Sequence, residues 1–590
     1  MSSYTVGIDL GTTNSVVSYF ENEIENPEIN LLKIKQNIEP GVVEEKEVLP
    51  SFLYYPLQSE LDADLTEKFA WQKNNWIAGA YARDRGVEVP GNFVSSAKSW
   101  LCQNNMNRKE AILPFQSEDC PQKISPFEAS IIYLETIAGC WREKMDSDLG
   151  EQNIILTIPA SFDEEAKKLT EEAATKAGFK NLILLEEPQA ALYAWVASQG
   201  DNWRNEVEKD DVILVCDIGG GTSDFSLIKV VSEEGNLSLQ RTAVGEHILL
   251  GGDNMDLALA YHAKAKMEAS KKLNASQLRS LWYKARKVKE DILKGKTEKA
   301  QFTILGTGLK RLIGGTLKAE FTPEEVQNIL VDGFFPNCQF DEHPVEQNNA
   351  GIQEIGLPYA SDAAITKHLA RFIARQIDTP NFSWPSKILF NGGVFNCDKM
   401  RSRLLEVING WLSSVDQENI IPLNHSSLDH AVAKGASYYG CTRAGKGIRI
   451  RSGISRSYYI QVASAMPAIP GMPAPQKAFC IAPFGMEEGS EVKLEGKSFA
   501  LTTGMPASFQ FLSSTIRTED QSGTVLEDWD DEELEETSNM EVTLDSVPDL
   551  DNPIPVQLGT KVTETGTLEI FFKHTESERQ WQLEYSVRED

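Results

Sequence analysis

The chain has 590 residues, 41% hydrophobic and 24% charged, with a formal net charge of −30. That length is too great for one core and predicts roughly two to four domains of ordinary globular composition. The charge sets the protein against DNA, RNA and anionic membranes, so a bound nucleotide would rely on local backbone donors and a few cations.

The N-terminal Met1-Ser2-Ser3-Tyr4 does not read as a secretion signal, and no apolar run reaches bilayer length. The expectation is a cytoplasmic protein with no membrane insertion. The eight cysteines are scattered without a C-x-x-C pair or Cys/His ligand spacing, which predicts buried free thiols.

The first element reads as a β run, Tyr4-Thr5-Val6-Gly7-Ile8-Asp9-Leu10. It breaks at Gly11-Thr12-Thr13-Asn14 and resumes through Val16, Val17 and Phe20. A polar, irregular stretch is expected from there to about residue 90, and Phe93 to Leu101 reads as the start of a short helix. Ser125 is a plausible cap for a helix from Pro126 to Lys144. A buried strand at 153–158, a helix from Asp163 to Ala177 stopped by Gly178, and a strand at 182–185 spell a parallel βαβ unit. Glu186-Glu187-Pro188 then opens another helix.

The first hairpin returns in kind at Asp211 to Ile228. A strand ends at Asp217-Ile218, turns through Gly219-Gly220-Gly221-Thr222, and resumes at Phe225. Phosphates need backbone N–H groups reached without side chains in the way, and an acid beside them can hold Mg²⁺ through its waters. Two such hairpins predict a duplicated domain gripping one nucleotide from both sides. Gly251-Gly252-Asp253 lies at the mouth of a helix from Leu257, and residues 276–294 read as a Lys/Arg-rich helix. Strands and a short helix are expected over 300–335, a loop or insertion near 336–360, and a helix near 363–377. A strand at 387–390 runs into Asn391-Gly392-Gly393, with helices expected from 397 and from Leu428. Beyond Gly445, alternating β-formers between Pro and Gly turns predict an all-β, sandwich-like module over 446–590. The acidic run Glu527 to Glu533 is a solvated loop or helix start on this reading.

Ile8-Asp9-Leu10-Gly11-Thr12-Thr13-Asn14-Ser15, Asp217 to Asp224, Gly251-Gly252-Asp253 and Asn391-Gly392-Gly393 occur in this order. The pattern resembles the actin-like ATPase domain of DnaK-type heat-shock chaperones, across roughly residues 4–445. The resemblance implies an α/β, two-lobed ATPase domain over 1–445 with ATP or ADP and Mg²⁺ in its cleft, followed by a β-rich substrate- or partner-binding domain. It implies that Gly11, Thr12 and Thr13 wrap the phosphates from one side and Gly219, Gly220 and Gly221 from the other. Asp9 and Asp217 would hold the metal mostly through water, with Asp217 also counted among the catalytic residues, and Thr222 would help place the γ-phosphate. Lys98 matches the family's catalytic lysine, Glu187 the carboxylate that orients water or senses hydrolysis, and Pro159 a proline tied to communication between lobes. Gly251, Gly252 and Lys289 fall at nucleotide-contacting positions; Gly392 and Gly393 would lie under base and ribose, with Asp429 close by.

The sequence departs from the family at several places. Arg286 stands where an acid faces adenosine and Glu290 where a base or apolar residue does, while Lys289 is kept in kind. Val394 and Asn396 replace a Ser and an Arg, and asparagine cannot stack as a cation on the base. The junction Gly445 to Gly453 is basic where the family's linker is acidic and leucine-rich, and the usual helical lid after the β-domain is not expected.

The function this predicts is an ATP-hydrolysing chaperone whose β-domain binds unfolded polypeptide, served by a co-chaperone and an exchange factor, with Met466 to Pro473 as a candidate peptide site or a connecting loop. The alternative is a nucleotide-dependent adaptor whose β-domain holds one dedicated protein partner.

Overall fold

The computed structural model describes the chain from Ser2 to Ser586 apart from short segments, the longest being 306–315, 346–356, 445–453, 464–475 and 546–552. The junction Gly445 to Gly453 and the Met466 to Pro473 loop therefore lie outside the described residues. The chain divides into two compact units, Met1–Leu237 with Ala243–Arg449, and Ser238–Thr242 with Ile450–Asp590.

The first unit is built on two sheets of the same design. In one, β1 (Tyr4–Leu10), β2 (Asn14–Glu21), β3 (Asn30–Leu31), β4 (Val48–Pro50), β5 (Asn153–Ile158) and β6 (Asn181–Glu186) give the order β6-β5-β1-β2-β3, with β4 also on β2. In the other, β7 (Val212–Ile218), β8 (Ser223–Glu233), β9 (Lys387–Asn391) and β10 (Ile421–Leu423) run in the order β8-β7-β9-β10, with a fifth strand, Asn236–Val244, on the outer side of β8. Each sheet centres on a strand paired antiparallel to its hairpin partner and parallel to a later strand. Registers match as well: Asp9 lies opposite Val16 and Thr157, and Asp217 opposite Asp224 and Asn391. The duplication read from the two hairpins is thus also a duplication of topology.

Eight helices bear on the site or its support: α1 (Ala97–Leu101), α2 (Pro126–Met145), α3 (Glu164–Lys176), α4 (Glu187–Gln199), α5 (Gly252–Glu268), α6 (Ala275–Leu293), α7 (Asp398–Ser414) and α8 (Ala431–Arg443). Local chemistry sets several of their starts. Ser125 Oγ accepts from Glu128 N at 3.0 Å while Glu128 Oε2 accepts from Ser125 N at 2.8 Å, a reciprocal cap with Pro126 in the first turn. Asp163 Oδ1 accepts from Ala166 N at 2.7 Å and fixes the start of α3. The parallel strands β5 and β7 are buried over nearly their whole length, as expected of strands covered on both faces. Helix α8 closes on β1, where Gly7 N donates to Ser437 Oγ at 2.9 Å.

The structure corrects several expectations. The stretch to residue 90 is ordered, with a hairpin at Ile34–Glu39 and Val42–Lys46, a three-stranded sheet of Leu53–Tyr54, Ile77–Ala78 and Phe93–Val94, and a helix at Ala80–Gly86. Strands this short carry no readable period, and burial of Phe52, Tyr54, Tyr81 and Phe93 in one cluster is what organises them. Phe93 and Val94 are strand, and α1 starts only at Ala97, because Ser96 turns the backbone left-handed at φ 54°. Helix α5 begins earlier than expected, at Gly252, and α8 later, at Ala431.

The second unit consists of antiparallel sheets. One orders Val525–Leu526, Gln476–Ala482, Ser457–Ala463, Pro506–Ser514 and Glu535–Thr543; the other orders Glu491–Lys493, Ile554–Val562, Thr567–His574 and Gln580–Ser586, with Phe499–Leu501 on Ile554–Val562. Alternating burial in Thr567–His574 shows one face turned inward. Tyr458, Ile460 and Phe511 of the first sheet share a core with Val556, Leu568 and Ile570 of the second. All eight cysteines are free; seven are buried and Cys102 is half-buried.

Candidate functional site

The ends of β1 and β7 deliver Asp9 and Asp217 to one cleft, and the turns that follow form its facing walls. Gly11, Thr12 and Thr13 line it on the β1 side, and Gly219, Gly220 and Thr222 on the β7 side. The second turn is closed by Gly219 N donating to Thr222 O at 2.9 Å. The two turns come so close that a Cβ on Gly220 would stand 1.9 Å from Thr13 Oγ1, so a side chain there would have to displace the threonine hydroxyl. Gly392, at φ +86°, would set a Cβ 2.2 Å from Ile218 O and 2.8 Å from Asp217 Oδ1.

Lys98 on α1 and Glu187, the first residue of α4, meet across the floor as a hydrogen-bonded ion pair with side chains 11% and 15% exposed. Gly252, Lys289, Gly392, Gly393 and Asp429 also line the cleft. Gly221 and Gly251 do not: the first backs onto Ser99 and Thr12, and the second packs on the carbonyls of Gly219 and Gly220, so both shape the wall from behind.

Electrostatically the floor is an excess of acid. Burial, then the nearby Glu187 charge, pushes the Asp9 carboxyl up to about 7. Asp217 is raised well above the carboxylate range by burial and by Glu187 and Asp224. Glu187 is raised by burial despite Lys98. Burial pulls Lys98 down, but the Glu187 and Asp9 carboxylates outweigh it and keep the ammonium charged. Such a cluster is a place where added positive charge is favoured. Among the described residues no three His, Cys, Asp or Glu side chains converge closely enough to ligate a metal directly. An acid-rich floor between two close glycine turns is a lining whose chemistry suits a hydrated divalent ion and a phosphate.

The sequence reading missed several supporting groups. Asn391 Nδ2 donates to Asp217 Oδ2 at 2.7 Å, and Thr157 Oγ1 reaches Asp9 Oδ1 at 3.4 Å, each from the in-register position on the parallel neighbour. Ser96 Oγ donates to Asp253, and Ser161 Oγ to Asp224 Oδ1 at 2.6 Å. The strand-end Asn391-Gly392 was a usable signal for the first; nothing in the local sequence marks the serines.

The altered adenosine positions have partners of their own. Arg286 pairs with Asp253 and with Asp256 at 3.1 Å, and its guanidinium carbon lies 4.9 Å from the Phe52 ring centroid. Lys289 Nζ sits 2.7 Å from Asp256 and donates to Gly252 O at 2.8 Å. Asn396 Nδ2 donates to Asp429 Oδ1 at 2.8 Å, tying together two residues at the cleft edge.

The family model described as Hsp70 protein matches residues 68–322. Similar curated proteins are chaperone protein HscA homologs. One from Vibrio cholerae serotype O1 (strain M66-2) is 28% identical over 338 residues, which is 55% of this chain and 46% of that protein. One from Burkholderia lata is 29% identical over 314 residues, 51% of this chain and 44% of that protein. One from Cupriavidus pinatubonensis is 28% identical over 362 residues, 56% of this chain and 51% of that protein. The matches thus span about half the length of these relatives. Together with the paired sheets they define an actin-like ATPase region of the Hsp70 type. Over about half its length the chain is thus similar to chaperones of the Hsp70 family, whose members are ATPases that bind ATP with Mg²⁺. No helix among the described residues is long and apolar enough to cross a membrane.

Proposed function

We propose that this protein is a chaperone-type ATPase switch that binds and slowly hydrolyses ATP in the cleft between its two hairpins, and so controls a C-terminal, sandwich-like β-domain that binds unfolded polypeptide. The observation that carries the reading is the meeting of two glycine turns around Asp9, Asp217 and the Lys98–Glu187 pair. The N–H groups of the turns from Gly11 to Thr13 and Gly219 to Thr222 would hold the phosphates. Lys98 would offset charge building on the γ-phosphate, and Glu187, fixed by Lys98 at the start of α4, would orient the attacking water. Mg²⁺, carried with the nucleotide, would supply further charge neutralisation, its waters held by Asp9 and Asp217. Gly252, Lys289, Gly392, Gly393 and Asp429 would bound the adenosine. Clients, a co-chaperone and an exchange factor belong to this reading as partners.

The test is ATP turnover by the full chain beside Lys98→Ala and Asp217→Asn, with and without an unfolded model client. Turnover should fall about a hundredfold or more in either variant, the scale of losing one electrostatic contact to a transition state. Wild type that neither binds nor hydrolyses ATP in Mg²⁺ would sink the proposal. Hydrolysis that no unfolded client changes, with one stoichiometric protein co-purifying, would replace the chaperone by the dedicated adaptor.

A further inference from the structure

Beside the nucleotide cleft the first unit holds a second cavity, of about 360 Å³, in the size range of small-molecule pockets. Its walls come from two parts of the chain: Phe93 to Ser96, Trp100 and the Leu113–Gln116 segment on one side, and α5, α6 and Tyr359 on the other. The lining is aromatic and ordered. Tyr283 stands edge-on to Phe93 with centroids 4.7 Å apart, Trp282 and Tyr283 lie near parallel at 5.9 Å, and Trp100 meets Phe115 at 4.6 Å. The Ser95 hydroxyl bonds Tyr283, and Trp282 Nε1 donates to Asp253 O at 3.1 Å, so the walls are pinned by polar contacts at their rims.

One charge is left over. Arg279 lines this cavity, half-buried, and among the described residues it has no hydrogen-bond or ion-pair partner. Its helix neighbour Arg286, by contrast, is paired twice. An aromatic box with an unpaired guanidinium suits a flat apolar body bearing one anionic group. We infer that this cavity is a binding site for a small aromatic monoanion, such as an aryl carboxylate or sulfonate, with Arg279 as the anion contact and Trp100, Trp282 and Tyr283 as the apolar walls.

The position gives the site a consequence. Ser96, which lines the cavity, hydrogen-bonds Asp253 and lies two residues before Lys98, and Trp282 holds the carbonyl of the same Asp253. A ligand that alters the spacing of the walls therefore acts on both sides of the nucleotide cleft. Regulation of ATP turnover rests on the proposed ATPase reading; binding itself does not.

Binding is tested on nucleotide-free full chain with 1-anilinonaphthalene-8-sulfonate as the anionic probe and uncharged N-phenyl-1-naphthylamine as its control. Wild type should bind the sulfonate at one site that Arg279→Gln weakens about tenfold while binding of the neutral amine is unchanged, the cost of one charge-assisted contact. Leu278→Trp, which fills the cavity from a half-buried position on α6, should remove that site for both probes. Site numbers and affinities identical in wild type and both folded variants would overturn the inference. If the Arg279 effect is seen in a protein that does not hydrolyse ATP, the site stands and the ATPase reading falls.

Discussion

Asp9 ends a buried strand beside Glu187 and keeps its proton up to about pH 7, well above its ordinary 3.8. Between those values the folded chain retains a proton that the unfolded chain has released. The contribution of this group to stability therefore falls as pH rises through that window, and above it the cost is present in full. Asp9→Asn removes the cost. It should raise the thermal midpoint of the nucleotide-free protein at pH 8 by on the order of 2 °C and leave it unchanged near pH 4. The same variant should lose the Mg²⁺-dependent part of stabilisation by ATP, because the carboxylate that would hold the metal's waters is gone. A midpoint that rises equally at both pH values would show that Asp9 is not the titrating group. At this scale the site was legible wherever chemistry needs a particular residue type at a turn, as at Asp9, Gly220 and Asp217. It was illegible where a common residue acts through a tertiary approach, as at Ser96 and Ser161, whose carboxylate partners lie far along the chain.

Helix α6 shows why a substitution that looked damaging in the sequence is accommodated in the fold. Arg286 occupies a position where the resemblance calls for an acid, yet it is set between Asp253 and Asp256, with side chains 3% and 1% exposed, and over Phe52. Burial and both carboxylates act on the guanidinium, and the acids win, so it stays charged. Removing it leaves the buried Asp256 with Lys289 and, among the described residues, the buried Asp253 with only the Ser96 hydroxyl. Arg286→Met should therefore cost about 3–5 kcal/mol, and adding Asp253→Asn should recover a measurable part, since groups in one network are not additive. Thermal unfolding of the two single variants and the double closes the cycle; strict additivity would mean the network is not energetically coupled. The periodicity of α2 was readable because it runs long enough for its buried face to recur, while α3 was read from its place between two strands and α6 from its run of Lys and Arg. The paired strands Leu53–Tyr54, Ile77–Ala78 and Phe93–Val94 were not, since two residues define no period and only their shared aromatic cluster makes them a sheet.

Across the whole molecule the formal charge of −30 bears on how a nucleotide arrives. The cleft floor sets Asp9, Glu187 and Asp217 against Lys98, but burial holds protons on Asp9 and Asp217 toward neutral pH, so the floor adds little repulsion of its own and the far field sets the sign. A Mg²⁺-bound ATP carries net negative charge and approaches against that far field, and salt screens such repulsion over a Debye length of about 10 Å at 0.1 M. The association rate should accordingly rise with ionic strength, by roughly two- to threefold between 20 and 200 mM salt, and rise more steeply for ATP without Mg²⁺. Stopped-flow mixing with a fluorescent ATP analogue measures both slopes. A cleft dominated by its cations would give the opposite slope, with the rate falling as salt is added. That outcome would mean that Lys98, Arg286 and Lys289 outweigh the acids at the mouth even though each is held in an ion pair in the nucleotide-free fold. The expected slope instead makes Mg²⁺ part of how the nucleotide gets in, since its charge removes half of the repulsion before contact and then meets the acids that the fold has crowded together.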